Sequence, residues 1–399
     1  MELFEKNTFA GITLKNRIIR SATHEGLANE HGRPLEPLID LYEQIAMGGV
    51  GMIITGYAGI LKSARSCSNM AVFDSDEQVA IYKKIITTVK KHHTPIMLQI
   101  GHAGGLGAKE LVGKHPVAPS KRCYKINHST SVELTAKEIE ELIAIFVSCI
   151  FRAKRAGFDG VQLLAAHGYL LSEFLSPYLN RRKDKWGGST ENRFRIIKEI
   201  LTRSREKVGT FPIIIKISGN DEQKGGMNPE EAVAVAKLLE LSSCDAIEVS
   251  CGNGNLFETV RCQSIPYEVL YKVVPGLHNV RGLKKSIINL FVKKRFKLHR
   301  EIKDYNVEIA EQIKKAVSVP VISVGGIREL RSANEIVESG KSDYVALCRP
   351  LINEPDLPKK WKKGEQSVSN CIDCNYCLLA CVKKPLQCYR GKLPEDFCS

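Results

Sequence analysis

Eight short apolar segments recur along the chain of 399 residues, and segments with helical periodicity separate most of them. Several are apolar at nearly every position, as in PIIIKI and PVISV, which indicates strands buried on both faces of a parallel sheet. Eight strands alternating with helices predict a closed (β/α)8 barrel (TIM barrel), an α/β fold, with an open doubly wound sheet as the alternative. The predicted strands are Arg17–Ala22, Gly51–Gly56, Pro95–Gln99, Gly160–Leu164, Pro212–Ile217, Ala246–Ser250, Pro320–Val324 and Asp343–Leu347.

Five segments carry apolar residues at helical spacing. Thr135 and Glu138 open the first of them with the spacing of a capping box. The composition changes only after about residue 363, where cysteines become frequent. We therefore predict a barrel over residues 1–363 and a cysteine-rich extension over residues 364–399. The predicted helices are Thr135–Ala156, Glu191–Val208, Pro229–Glu240, Ile302–Val317 and Leu330–Ser339.

The formal net charge of +14 is unevenly distributed, and the densest basic stretch runs from Arg281 to Lys303. Such runs are usually solvated faces, although an acidic partner or substrate is compatible with this one. Aromatic side chains are not interleaved with the basic ones as in nucleic-acid stacking platforms, so we expect no nucleic-acid partner. No apolar run reaches the roughly 18 residues of a membrane span, and the N-terminus has no signal-peptide pattern. We expect a cytoplasmic protein without membrane contact.

In a (β/α)8 barrel the active site lies at the C-terminal ends of the strands. Gly325 and Gly326 follow the seventh strand, where glycine lets the backbone approach a ligand and backbone amides can bind phosphate. Arg349 lies just past the eighth strand and can pair with the same phosphate. These positions predict a phosphate-bearing ligand. Unusual polar residues fall in or after the other strands, at His24, Gln99, His167, Tyr169 and Lys216.

Five of the 13 cysteines form the pattern Cys371-x2-Cys374-x2-Cys377-x3-Cys381-x6-Cys388. Cytosolic thiols stay reduced, so the pattern indicates metal binding rather than disulfides. Four thiolates suit a [4Fe–4S] cluster or a structural zinc ion. In the ferredoxin pattern proline follows the last cysteine, whereas valine follows Cys381 here. We therefore predict a [4Fe–4S] cluster bound by Cys371, Cys374, Cys377 and Cys388, with Cys381 as the alternative fourth ligand.

The segment VQLLAAHGYLLSEFLSPYLNRRKDKWGGSTEN, residues 161–192, resembles the signature of the old yellow enzyme family. The resemblance extends from the N-terminus to about residue 360 and thus covers the predicted barrel. It implies a flavin-dependent oxidoreductase that holds FMN without a covalent bond. The residues that match the signature are Phe174–Pro177, Asn180, Arg182, Asp184, Gly187–Ser189 and Glu191–Arg193.

The resemblance also implies which residues contact the flavin. Lys216 stands where many family members have arginine, and either cation would stabilise negative charge near N1 and C2=O of reduced flavin. Cys348 replaces a usual glycine beside the phosphate. The ten residues that the resemblance places against FMN are Ala22, Thr23, His24, Gly56, Gln99, Lys216, Gly325, Gly326, Cys348 and Arg349.

Two further positions match the catalytic residues of the family. Tyr169 matches the proton donor, which protonates one alkene carbon while flavin N5 gives hydride to the other. His167 matches the second member of a pair that hydrogen-bonds the substrate carbonyl. Leu164 stands in place of the first member, so we expect either a substrate that is already activated, as a thioester is, or a substitute donor. The candidates for that donor are His102, Lys216 and the loop at residues 251–258.

The cysteine pattern is similar to that of the 2,4-dienoyl-CoA reductase and trimethylamine dehydrogenase branch, and His24 is typical of the former. That branch continues into a module for FAD and a nicotinamide cofactor, and no G-x-G-x-x-G motif follows here. We therefore expect an external electron donor, which could be NAD(P)H, a ferredoxin or a flavoprotein subunit, and leave homo-oligomerisation open. The leading hypothesis is an FMN-dependent reductase of enones, enoates or enoyl thioesters. The alternatives are an amine dehydrogenase or demethylase and an electron-transfer subunit.

Overall fold

The protein is described by a computed structural model over residues 1–113, 115–124, 129–254, 259–273, 277, 280–295 and 302–393. Eight parallel strands pair in the order β4-β5-β6-β7-β8-β1-β2-β3, and a β3–β4 pairing closes the ring. The predicted barrel is confirmed, and each predicted strand overlaps an observed one. The strands are β1 (Ile18–Arg20), β2 (Met52–Ile54), β3 (Ile96–Gly101), β4 (Gly160–Ala165), β5 (Ile213–Ser218), β6 (Ile247–Ser250), β7 (Val321–Val324) and β8 (Tyr344–Leu347).

One main helix follows each strand. The predicted capping box starts α3, where Thr135 Oγ1 accepts from the Glu138 amide and Glu138 Oε2 accepts from the Thr135 amide. The predicted start of the sixth helix at Ile302 is wrong, because Asp304 has a φ of +50° and the helix begins only after Asn306. The helices are α1 (Pro37–Met47), α2 (Val79–Lys90), α3 (Ala136–Ala156), α4 (Thr190–Val208), α5 (Pro229–Leu241), α6 (Val307–Ala316), α7 (Leu330–Glu338) and α8 (Leu357–Lys363).

Every residue of the eight barrel strands is buried, which explains their nearly continuous apolar sequences. One layer of apolar side chains lies between the strands and the surrounding helices. A second cluster fills the lower barrel with inward-facing residues such as Met52, Met97 and Ile214. Phe9 and Leu14 of an N-terminal hairpin, Asn7–Phe9 paired with Ile12–Leu14, join this second cluster. The lower end of the barrel is thereby packed, and the opposite end remains for a ligand.

Shorter elements decorate the loops at the C-terminal ends of the strands. After β6 lie the helices Tyr267–Val273 and Gly282–Arg295. The second of these carries most of the described part of the basic stretch and exposes Leu283, Leu290 and Phe291. No helix among the described residues is both long and apolar enough to cross a membrane. The remaining short elements are the α-helices Lys109–Val112, Leu170–Leu175, Arg349–Asn353 and Tyr376–Ala380, the 3-10 helices Lys62–Ala64, Asp76–Gln78 and Gly104–Leu106, and the strands Ala58–Gly59, Val117–Ala118, Cys123–Tyr124, Ser129–Thr130 and Val132–Glu133.

The cysteine-rich extension folds back over the loops at the C-terminal ends of the strands. The helix α8 ends at Lys363 with Gly364 in the left-handed conformation. The backbone carbonyl of Glu25, after β1, accepts from the Leu386 amide at 2.7 Å. The Asn69 side chain, after β2, donates to the Cys381 carbonyl at 2.9 Å. The extension therefore contacts the end of the barrel at which a ligand would bind.

Candidate active site

A cavity opens at the C-terminal ends of the strands, and seven of the predicted site residues share its lining. Lys216, Arg328 and Arg349 give it three cationic side chains, whereas Ala22 and Ala346 give it apolar surface. Its charge favours an anionic ligand that also carries an apolar part. The seven predicted residues in the lining are Ala22, His167, Lys216, Gly325, Gly326, Cys348 and Arg349.

The turn after β7 can be formed only by glycine at two successive positions. Gly325 and Gly326 have φ angles of +128° and +77°, which side chains of L-residues rarely allow. A β-carbon at Gly325 would lie 2.7 Å from the Tyr305 ring, and one at Gly326 would lie 2.1 Å from the Ile302 carbonyl oxygen. Close packing of this turn against the preceding loop thus brings its backbone to the cavity wall.

Lys216 belongs to a buried polar network that spans the interior of the barrel. Its ammonium lies 3.1 Å from Glu248 Oε1 and donates to Ser21 Oγ at 2.9 Å. Glu248 also accepts from Ser21 Oγ and from Gln162 Nε2, each at 2.6 Å. Gln99 donates to Gln162 Oε1 at 2.7 Å. The predicted Gln99 therefore lies below the cavity lining, connected to Lys216 by hydrogen bonds.

Three other predicted residues lie beside the cavity rather than in its lining. Thr23 Oγ1 is 3.0 Å from Cys348 Sγ. His24 Nε2 is 3.2 Å from Asn69 Oδ1, and this contact turns it toward the extension. The Gly56 amide donates to the Glu25 carboxylate, which leaves no room for a β-carbon at Gly56.

His167 is held as a neutral imidazole at the wall of the cavity. Its backbone has a φ of +65°, and its amide donates to Ser218 Oγ at 3.1 Å. Its Nε2 lies 2.8 Å from Ser250 Oγ at the end of β6. Burial, together with the nearby Lys216 ammonium, lowers the pKa of His167 to about 3. The ring is therefore uncharged at neutral pH and can offer one N–H donor.

Tyr169 follows this histidine by two residues in the chain, but its side chain lies outside the cavity lining in an apolar environment. Its hydroxyl is 3.5 Å from Ser66 Oγ, and its ring packs edge-on against Tyr57 with the centroids 5.2 Å apart. Burial raises the pKa of Tyr169 to about 12, so the phenol keeps its proton at neutral pH. Leu164 joins the same cluster, which also contains Met70. The position that would hold a second carbonyl donor is thus occupied by hydrocarbon.

Among the substitute donors within the described residues, Lys216 alone reaches the cavity lining. His102 is buried, its Nδ1 accepts from the Gly104 amide at 2.9 Å, and burial lowers its pKa to about 4. Within the loop at residues 251–258, positions 255–258 lie outside the described residues.

A second cavity lies beside the first, and Arg349 lines both. The four predicted cluster ligands, Cys371, Cys374, Cys377 and Cys388, all line it. Cys381 does not, and its thiol donates to the Leu378 carbonyl at 3.1 Å. Across the described ranges, no three His, Cys, Asp or Glu side chains are arranged around a single metal ion. The four cysteine sulfurs around a [4Fe–4S] cluster lie farther from one another than the ligands of a single metal ion do, so the lack of such a single-ion arrangement does not bear on a cluster.

Sequence reasoning missed several polar residues of the site. Gln162 and Glu248 interrupt the otherwise apolar strands GVQLLA and IEVS, and that interruption was a signal of an inward-facing polar layer. Ser250, the partner of His167, ends the same strand as Glu248. Asp373, which lies between two predicted cluster ligands and also lines the first cavity, carried no such signal.

A family model described as NADH:flavin oxidoreductase / NADH oxidase matches residues 2–264 and 274–367. The chain belongs to this family. This confirms the family resemblance that the motif at residues 161–192 predicted. An NADH oxidase of Thermoanaerobacter brockii is 36% identical over 377 residues, which are 94% of this chain and 52% of the relative. The chain therefore spans about half the length of that relative.

Solved structures confirm the fold of the chain. A 2-naphthoyl-CoA reductase in complex with 2-naphthoyl-CoA superposes with a TM-score of 0.82 at 24% identity, covering 97% of this chain and 56% of the other. The old yellow enzyme homologue of Zymomonas mobilis superposes with a TM-score of 0.76 at 24% identity, covering 98% of both chains. At these identities the likeness concerns the barrel and its extension in space, not the chemistry.

Proposed function

We propose that the chain binds FMN in the first cavity and reduces a C=C bond conjugated to a carbonyl, carboxylate or thioester. The observation that carries this proposal is the placement of two groups at the end of β4. Neutral His167 lines the cationic cavity, and protonated Tyr169 follows two residues later in the chain, outside the cavity lining. One can bind a developing negative charge on oxygen, and the other can deliver a proton to carbon.

The side chains in the cavity fit FMN by their chemistry. Cationic Arg328 and Arg349 stand at the Gly325–Gly326 turn, where a phosphate would bind, and apolar Ala22 and Ala346 offer surface to a flat ring. Bound FMN supplies the hydride. Lys216 would hold the negative charge that the reduced ring gains, because its ammonium enters the cavity from below.

Each protein group has one task in the reduction. Tyr169 holds a proton on its phenol oxygen and gives it to the carbon that does not receive hydride. His167 donates a hydrogen bond to the substrate oxygen, with Ser250 fixing the ring at 2.8 Å. Because Leu164 cannot add a second hydrogen bond, the substrate needs activation of its own, which favours enoyl thioesters over enoates.

The cysteine cavity fits a [4Fe–4S] cluster bound by Cys371, Cys374, Cys377 and Cys388, because these four thiols share one lining and Cys381 points elsewhere. The cluster would relay electrons to or from the flavin, because the two cavities are adjacent and share Arg349 in their linings. The electron donor is NAD(P)H or a reduced carrier protein. In this proposal residues 1–363 bind FMN and residues 364–399 bind the cluster.

A second candidate is an oxidative enzyme of the amine dehydrogenase or demethylase type, which would send electrons out through the cluster. The observation in its favour is Leu164, which gives the wall beside Tyr169 an apolar surface in place of a carbonyl donor.

Anaerobic turnover separates these candidates. We expect the purified protein to show flavin bands together with broad iron–sulfur absorbance, and to reduce enoyl thioesters faster than enoates with NADH or NADPH, with enones included in the panel. Zinc without iron would contradict the cluster. Rapid flavin reduction by amines, with no turnover of any alkene in the panel, would instead select the oxidative candidate.

A further inference from the structure

Asp373 is a buried carboxylate held between two arginines at the border of the two cavities. Its side chain is 1% exposed. Its Oδ1 lies 2.9 Å from Arg349 Nη2, and its Oδ2 lies 2.9 Å from Arg328 Nε in an ion pair without hydrogen-bond alignment. Both arginines line the first cavity, next to the Gly325–Gly326 turn. Asp373 is therefore paired with the same two arginines that would bind a phosphate in this cavity.

Arg349 is committed to the cysteine loop, residues 371–377, as well as to the cavity. Its Nη1 donates to Asn375 Oδ1 at 2.7 Å and to the Arg261 carbonyl at 2.8 Å, whereas its Nη2 pairs with Asp373. Asn375 in turn donates to the Val260 carbonyl at 2.7 Å. A single guanidinium thus anchors two residues of the loop that carries three of the predicted cluster ligands.

A bound phosphate and Asp373 compete for the same positive charge. A phosphate monoester carries a charge of about −1.5 to −2 at neutral pH, and a second anion on one cation pair is repelled. Burial strengthens this repulsion, because little water screens the charges. A phosphate that engages Arg349 must share it with Asp373 or displace the carboxylate.

We infer that Asp373 is a positioning residue that couples occupancy of the first cavity by the FMN phosphate to the cysteine loop. The inference rests on the proposed function, in which FMN binds here and the cysteines hold a cluster. Asp373 anchors the loop to Arg349 and Arg328 at the cost of weaker phosphate binding. By thermodynamic linkage, phosphate binding loosens the loop as much as the anchored loop weakens phosphate binding.

The isosteric substitution Asp373→Asn tests this coupling, because it keeps the shape of the side chain and removes its charge. We expect the variant to bind FMN about tenfold more tightly, within the range usual for couplings between sites. We also expect it to release iron faster to a chelator. The two effects run in opposite directions, whereas a merely structural defect would weaken both flavin and cluster binding.

The flavin-stripped full chain is titrated with FMN, and quenching of flavin fluorescence reports binding. Inorganic phosphate serves as the competitor. Iron release is followed by absorbance. Asp373→Gly is the second variant, for the case in which the Asp373→Asn protein does not fold. Glycine adopts the φ of +54° at this position without strain. Asp356→Asn is the matched control. It removes the same charge from a half-exposed ion pair on α8, in which Asp356 Oδ1 lies 3.0 Å from Lys360 Nζ.

The outcomes separate the inference from the proposed function. Tighter FMN and phosphate binding in both Asp373 variants, with faster iron release and an unchanged Asp356→Asn control, supports the coupling. Equal FMN affinity in all variants, or weaker FMN affinity together with iron loss, overturns the coupling. The proposal that the unsubstituted chain binds FMN is unaffected by either result. Failure of the unsubstituted chain to bind FMN or iron overturns the proposed function and the coupling together.

Discussion

The ammonium of Lys216 lies 3.1 Å from the carboxylate of Glu248, and both side chains are buried in the barrel. The two residues are direct neighbours in the register of β5 and β6, so their side chains enter the interior side by side. The pairing places an acidic side chain directly beside the lysine beneath the cavity. The charge proposed to face the flavin is balanced by an acid in the next strand.

Lys216→Met should destabilise the protein by about 3–5 kcal/mol, because it leaves the Glu248 carboxylate buried without its cation. The double variant Lys216→Met/Glu248→Gln should regain most of that stability and still bind FMN weakly, since the cation is gone. Unfolding in denaturant and fluorescence titration with FMN measure the two effects. Lys315→Met is the control, because its pair with Glu311 is on the surface and contributes only about 0–1 kcal/mol. Equal losses in the single and double variants would contradict the pairing.

Tyr169→Phe should slow alkene reduction by about 10²-fold or more, because the proton donor is lost. Reduction of the flavin by NAD(P)H should stay unchanged, since that step takes no proton from the phenol. Stopped-flow measurement of the two half-reactions separates these effects. Tyr344→Phe, at the opposite end of the barrel, should change neither. A Tyr169→Phe variant that reduces alkenes at the original rate would remove the tyrosine from the mechanism.

Cys388→Ser should lower the iron content and bleach the iron–sulfur absorbance, because its thiol lines the cavity with the other three ligands. Cys381→Ser should retain iron, since the Cys381 thiol instead donates to the Leu378 carbonyl. Iron and acid-labile sulfide, measured per chain in anaerobic protein, give the comparison. The reverse pattern would make Cys381 the fourth ligand.

Glu173 should make the thermal stability depend on pH. It is fully buried, accepts from the Tyr124 hydroxyl at 2.5 Å and from the Gly105 amide at 3.1 Å, and burial raises its pKa to about 8. An unfolded glutamate has a pKa of about 4.3, so the folded state binds the extra proton between these values. This stabilising contribution is fully present below about pH 4.3 and is lost as the pH rises through about 8.

The variant Glu173→Gln tests this dependence, because its amide oxygen can accept the same two hydrogen bonds without a charge. Between about pH 6 and pH 9, the Tm of the unsubstituted protein should fall relative to that of the variant, in the direction set by the raised pKa. Glu36→Gln, at an exposed pair with Lys84, should show no such divergence. Parallel Tm curves for Glu173→Gln and the unsubstituted protein would contradict the raised pKa.

Local sequence determined the barrel. Strand identity follows from short runs that are apolar on both faces, as in Ile213–Ser218, and a capping box at Thr135 marks the start of α3. These signals lie within a few residues of each other, so a single chain reveals them. The order of the strands around the barrel then follows from short right-handed connections. The positions at the strand ends, and with them the place of the site, could be predicted on the same basis.

Only the tertiary structure decided what the site residues contact. Arg349 was expected to serve a phosphate, yet Asp373 and Asn375 from the cysteine loop occupy its guanidinium. Lys216 finds its partner Glu248 across a strand pairing. These contacts join residues that are 24 or more positions apart in the chain, and no local pattern encodes them. Local sequence patterns determined where the strands and helices lie, whereas the closing of the ring and the return of the extension determined which charges meet.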